Sequence, residues 1–109
     1  MKAYTDIEQS KKLAKILPFK SADMYYREWK RDTKDIRIAN VGTAGELDLP
    51  CWSLAALLSV LPEGTRLLKS ATDDTYHCDC PKGNVDKWYD NPVDACVEMI
   101  SKLYKFNIN

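Results

Sequence analysis

Hydrophobic positions along this chain recur at two different periods, and the switches between them mark its elements. In residues 5–17, Ile7, Leu13, Ala14, Ile16 and Leu17 form a helical stripe while Lys11, Lys12 and Lys15 face water. Thr5-Asp6-Ile7-Glu8 opens that stripe as a capping box, the Thr5 hydroxyl accepting from a backbone N–H three residues on while Glu8 reaches back. Pro18 closes it, because a proline pushes the preceding residue out of helical geometry. Residues 50–61 predict a second helix, with Ser53 as its N-cap and Leu54, Leu57, Leu58 and Leu61 at helical spacing. Few polar residues interrupt any of its faces, so the pattern makes it the central core element. Pro62-Glu63-Gly64 stops it. A third helix begins with Asn91 as cap, Pro92 in the first helical position and Asp94 near the positive end of the dipole. Val93, Cys96, Val97, Ile100, Leu103 and Tyr104 form its apolar stripe, and Glu98 and Lys102 pair four residues apart on its wet face.

Between the second and third helices the period shortens to that of strands. Thr65–Ser70, Thr75–Cys80 and Asn84–Tyr89 are separated by Thr72-Asp73-Asp74 and by Pro81-Lys82-Gly83, which predicts a three-stranded antiparallel meander. Nearer the N-terminus, Asp23 to Trp29 and the alternating Ile36-Arg37-Ile38-Ala39 flank the turn Asp32-Thr33-Lys34-Asp35, a hairpin pattern, with Gly42 and Gly45 marking a loop beyond it. The expected architecture is α+β: three helices packed on an antiparallel sheet, the meander plus an N-terminal hairpin. Helices two and three are expected to cover one sheet face. Residues 1–109 leave room for one domain.

Composition narrows the functional classes. Sixteen basic residues balance sixteen acidic ones, whereas a protein devoted to non-specific nucleic-acid binding normally needs a cationic excess. The balance conceals an asymmetry: residues 1–45 carry ten basic and six acidic groups, and residues 46–109 carry six and ten. Either the halves face one another or the basic half is offered to an anionic partner. The start of the chain lacks the apolar stretch of a signal peptide, and no apolar run reaches the ~18 residues of a membrane span, so a cytoplasmic protein without a membrane partner is expected. In that compartment the four cysteines are expected as free thiols.

Three segments invite a chemical reading. In His77-Cys78-Asp79-Cys80, strand alternation sends Cys78 and Cys80 to one face and His77 and Asp79 to the other, so the four cannot converge on one metal ion. No metal or other cofactor is expected. Cys51, at the start of the second helix, is where the dipole would lower a thiol pKa, and His77, the one histidine, would have to approach it to serve as a base. No catalytic fingerprint accompanies them, and a packed Cys51 with a surface His77 is the simpler expectation. Tyr25, Tyr26, Arg27, Trp29, Lys30 and Arg31 mix aromatic and basic side chains, the combination by which partners are held. Single-stranded nucleic acid uses the same mixture, although Glu28, Asp32 and Asp35 dilute its charge. Trp52 and Trp88 lie in well-patterned elements where packing accounts for them.

Leu49-Pro50-Cys51-Trp52-Ser53-Leu54-Ala55-Ala56-Leu57-Leu58, running to Leu61-Pro62, resembles a motif in uncharacterised small proteins of gut Bacteroides-type bacteria, their phages and mobile elements. Asn91-Pro92-Val93-Asp94-Ala95-Cys96-Val97-Glu98-Met99-Ile100 is similar to the closing helix of the same group. The resemblance covers roughly the C-terminal half and implies a bacterial or phage accessory protein without attaching an activity. The expected role is a small accessory protein that binds another macromolecule, with a protein as the expected partner and single-stranded nucleic acid as the alternative. A thiol enzyme or a zinc-binding protein ranks below both.

Overall fold

A computed structural model of the chain describes residues 2–27, 35–38 and 48–108. It has the α+β architecture that the pattern predicts, with two sheets. The elements run α1 (Ile7–Ala14), a 3-10 turn (Phe19–Ser21), β1 (Met24–Arg27), β2 (Asp35–Ile38), β3 (Leu49–Cys51), α2 (Leu54–Val60), β4 (Arg66–Lys69), β5 (Tyr76–Cys80), β6 (Gly83–Asn84) and α3 (Pro92–Ile108). One antiparallel sheet has the order β2-β1-β3 and the other the order β4-β5-β6. The N-terminal hairpin is therefore real, with Tyr25 opposite Arg37 in its register. Its turn and the loop at Gly42 and Gly45 lie outside the described residues.

The N-terminus of α1 corrects the expected cap. Asp6 is the N-cap: its Oδ1 accepts from Gln9 N at 2.8 Å, and Gln9 Oε1 accepts from Asp6 N at 3.1 Å. Thr5 cannot cap because it is fully buried and its hydroxyl is engaged elsewhere. The Thr5 Oγ1 lies 2.7 Å from Ser10 Oγ and accepts from Trp52 N at 3.1 Å. The segment around it is tied to the chain entering α2, with Thr5 N donating to Trp52 O at 2.9 Å and Leu54 N to Ala3 O at 3.3 Å. The expected second helix is also shorter at its start. Leu49–Cys51 pair with β1 as a third strand, Met24 opposite Cys51 and Tyr26 opposite Leu49. Ser53 then caps α2 as expected, its Oγ accepting from Ala56 N at 3.2 Å while Ser53 N donates to Asp23 Oδ1 at 2.9 Å.

The central helix is α3, not α2. Of α2 only Ala56 and Leu57 are fully withdrawn from water, and Leu58 remains 39% exposed. On α3, Val93, Ala95, Cys96, Val97, Met99 and Ile100 are all buried, which takes up somewhat more than half of its circumference. α3 packs on β5, and α2 packs on α3 and on the 3-10 turn, while α1 lies against β3. The two sheets therefore have separate covers, α1 for the first and α3 for the second, instead of one sheet face shared by α2 and α3. There are two core clusters, and α1 contributes to both, Ile7 to one and Leu13 to the other. Met24, Tyr26, Leu49 and Cys51 form a small cluster with Tyr4 and Ile7, and the larger one gathers Leu13, Trp52, Leu57, Cys78, Val93 and Ile100.

The meander is correct in its first two strands and too long in its third. The ladder closes at Gly83–Asn84 and at Val85 N donating to Cys78 O at 3.1 Å. The chain then leaves the sheet, with Asp86 2.8 Å from Lys102 on α3. It returns at Tyr89, which exchanges both backbone hydrogen bonds with Tyr76 at 2.7 and 2.8 Å. Gly64, at φ +85°, supplies the turn after α2, a conformation that costs an ordinary residue roughly 1–2 kcal/mol. A Cβ there would also meet Pro81 Cγ at 3.0 Å.

Candidate functional site

The second sheet has one covered face and one open face. Leu67 and Cys78 pair across β4 and β5 and belong to the core with α3, Cys78 being fully buried. Alternation sends their neighbours to the other side. There Arg66 pairs with Asp79, and Leu68 pairs with His77. The first pair is bidentate, Arg66 Nε to Asp79 Oδ1 at 3.0 Å and Nη2 to Oδ2 at 2.9 Å. The Arg66 hydrogen bonds hold the Asp79 carboxyl below the ordinary carboxylate range.

The return of the chain at Tyr89 places Trp88 beside His77, with ring centroids 5.1 Å apart and planes tilted by 35°. His77 Nε2 lies 3.2 Å from Val85 O, and since a carbonyl only accepts, that nitrogen carries the proton. The indole is thus held on one side by a ring that is itself anchored to the backbone, yet Trp88 is 45% exposed and Leu68 is 38% exposed. Leu68, His77 and Trp88 thus form a row across the uncovered face of the sheet; among the described residues Phe19 and Leu58 are the other large apolar side chains as exposed.

An open groove of about 430 Å³ runs beside Trp88, between α1, α3 and the 87–90 turn. Glu8, Lys12, Tyr89, Asp94 and Glu98 are among its lining residues. Lys87 Nζ sits 5.2 Å from the centre of the Tyr89 ring. Burial, reinforced by the charges of Glu98, Asp86 and Asp94, pushes the Tyr89 hydroxyl up and keeps it protonated. Asp94 anchors the inner wall by accepting from Lys2 Nζ at 2.9 Å, Gln9 Nε2 at 2.7 Å and Asn91 Nδ2 at 2.8 Å.

The residues that the sequence singled out are placed differently. Tyr26 is buried in the first sheet and donates its hydroxyl to Thr5 O at 2.8 Å, so it serves the core. Desolvation by burial, with Cys51 beside it, pushes that hydroxyl far up. Tyr25 is half-buried on β1, Arg27 ends that strand, and Trp29, Lys30 and Arg31 lie outside the described residues.

Cys51 is not at a helix start. It is fully buried in β3, donates to Thr5 O at 3.3 Å, and has its thiol pushed up by burial, the opposite of an activated nucleophile. His77 is stacked on Trp88 on the second sheet's outer face, so the two do not form a catalytic pair. Cys78 and Cys80 separate from His77 and Asp79 as alternation requires, and no group of three potential metal ligands gathers among the described residues.

Sequence reasoning missed Trp88 by assigning it to a strand interior. The available signal was Asp86-Lys87, two charges that break the alternation immediately before it. Compared with known proteins, the chain matches no family model, no curated protein and no solved structure.

Proposed function

We propose that this chain is a small accessory protein that works by binding another protein, and that the outer face of the second sheet is its contact surface. The observation that carries this reading is the exposed indole of Trp88, held against His77, whose other neighbour across the sheet is the exposed Leu68. Tryptophan concentrates binding energy at interfaces, and a ring already held in one orientation loses little entropy when a partner covers it. Core packing does not explain its position, because the core proper has Trp52 at 0% exposure.

Charge favours a protein over a nucleic acid. A nucleic-acid groove needs several cations free to meet phosphates. On the outer face Arg66 is held by Asp79, and at the margins of the sheet Lys69 lies 3.8 Å from Asp74 and Lys102 is held by Asp86. Carboxylates therefore accompany these three cations, while Lys87, next to the indole, lies over the Tyr89 ring.

The test is site-specific crosslinking. With p-benzoylphenylalanine at position 88, irradiation in the cells that make the protein should yield a protein adduct that Leu68→Asp abolishes. An adduct containing nucleic acid, or none, would overturn the reading.

A further inference from the structure

β4 is an edge of the second sheet, and its sequence, Arg66-Leu67-Leu68-Lys69, carries two cations and no carboxylate. Three of its four residues are exposed. The direction of its backbone groups follows from the partners of β5. Tyr76 exchanges both of its backbone hydrogen bonds with Tyr89, and Cys78 O accepts from Val85 N, so these two residues turn their backbone groups away from β4. In an antiparallel pair the residues opposite them, Lys69 and Leu67, then turn theirs away from β5. Ser70 N donating to Thr75 O at 2.9 Å fixes the alternate phase, in which Arg66 and Leu68 face β5. The N–H and C=O groups of Leu67 and Lys69 therefore line the open edge, and among the described residues nothing meets them.

We propose, on the reading that the partner is a protein, that β4 takes up an extended segment of that partner as an added strand, with acidic residues opposite Arg66 and Lys69 and apolar residues between them. The outward groups of Leu67 and Lys69 supply the main-chain hydrogen bonds, and alternate side chains supply the selectivity. The added residue opposite Leu68 lands on the outer face, where it lengthens the row of Leu68, His77 and Trp88 by one position. The contact face and the edge thus become one surface.

Charge selects the occupant. Arg66 donates to Asp79 through Nε and Nη2, and its Nη1 is left for a second carboxylate on the other side. Lys69 is mostly exposed, and its contact with Asp74 is a loose 3.8 Å. Asp79 stands behind Arg66 on β5, so the side chains nearest an added strand are the two cations. A second copy of β4 would bring two more cations to that edge. Like charge therefore guards it against self-pairing while an acidic strand is admitted. The order acid–apolar–apolar–acid reads the same in either direction, so it fits a parallel or an antiparallel strand.

The probe is a synthetic peptide centred on Glu-Val-Val-Glu, added to the full chain while amide hydrogen exchange is followed residue by residue by NMR. In the free chain the Leu67 and Lys69 amides should exchange at least about tenfold faster than that of Leu68, which bonds to β5. The peptide should slow both, and a Lys-Val-Val-Lys peptide should slow neither. Lys69→Pro removes one outward N–H and no bond to β5, a replacement that an edge strand tolerates. It should weaken the peptide at least about tenfold, whereas Lys69→Ala, which gives up the charge alone, should weaken it about two- to fivefold. Protection of Leu67 and Lys69 in the free chain, or protection that grows with its concentration, would mean the edge is already filled and would overturn the proposal. So would millimolar peptide that slows neither amide, or binding that Lys69→Pro leaves unchanged. The crosslink at position 88 reports the contact face separately. A partner lost with Trp88→Ala but kept by Lys69→Pro would end strand addition and leave that face standing, and protected amides without a crosslink would do the reverse.

Discussion

Replacing Thr5 by valine isolates the buried polar junction that joins the N-terminal segment to β3 and α2. The two side chains have nearly the same shape, so packing is retained and the loss is electrostatic. Thr5 is fully buried, and its hydroxyl serves Ser10 Oγ at 2.7 Å and Trp52 N at 3.1 Å. Valine leaves both groups buried without that partner, at about 1–3 kcal/mol each. The expected destabilisation is therefore about 2–6 kcal/mol. Had Thr5 been the N-cap of α1, as its sequence position suggests, the cost would be about 1 kcal/mol.

Urea unfolding followed by far-UV circular dichroism measures the difference, with the slope of the transition expected to stay constant. Thr5→Ser provides the control, since it keeps the hydroxyl and gives up one methyl worth about 1 kcal/mol. A loss below about 1 kcal/mol for Thr5→Val would show that the Thr5 hydroxyl does not hold this junction. It would mean that Trp52 N and Ser10 find other partners.

Three further outcomes follow from the same structure. Leu57→Ala should cost about 2–5 kcal/mol as a core truncation, whereas Leu58→Ala, one position along α2 and 39% exposed, should cost under about 1 kcal/mol in the same urea assay. Partial burial alone would raise the Asp94 carboxyl, but hydrogen bonds from Lys2, Gln9 and Asn91 outweigh it and leave the group below its usual value. Its contribution is thus fully present above the ordinary carboxyl pKa of about 4 and is lost as pH falls through the lower folded value. Asp94→Asn should flatten the acid limb of stability below about pH 4, and an unchanged limb would show that the network is not formed. In a thiol-reagent titration without prior reduction, Cys80 should react first in the native state and all four cysteines should react in urea. A count of two in urea would contradict free thiols.

The sequence announces those features whose causes are local. Asn91, Pro92 and Asp94 open α3 where the motif says, because cap, fixed φ and dipole all act within one turn. Alternation likewise separates Cys78 from His77, since a strand leaves no other choice. What depends on distant partners is hidden. Thr5 abandons the capping role because Trp52 N, far along the chain, offers a buried donor. Leu49–Cys51 become a strand because β1 supplies an edge, although their apolar run equally suits a helix. The leucines of α2 gave it the look of a central helix, yet α3 occupies that position and leaves Leu58 at the surface. Trp88 illustrates the same limit. Its place beside His77 follows from Tyr89 rejoining Tyr76, a pairing that no local pattern encodes.

Whether a protein partner is held by the Leu68–His77–Trp88 face is decided by calorimetric titration of Trp88→Ala with the crosslinked partner. The predicted result is a loss of about 2 kcal/mol in affinity, roughly thirtyfold, with an unfolding midpoint close to that of the unaltered chain. Unchanged affinity in Trp88→Ala, together with a comparable loss in Trp29→Ala, would contradict the claim and move the contact to the aromatic-basic segment that begins at Tyr25.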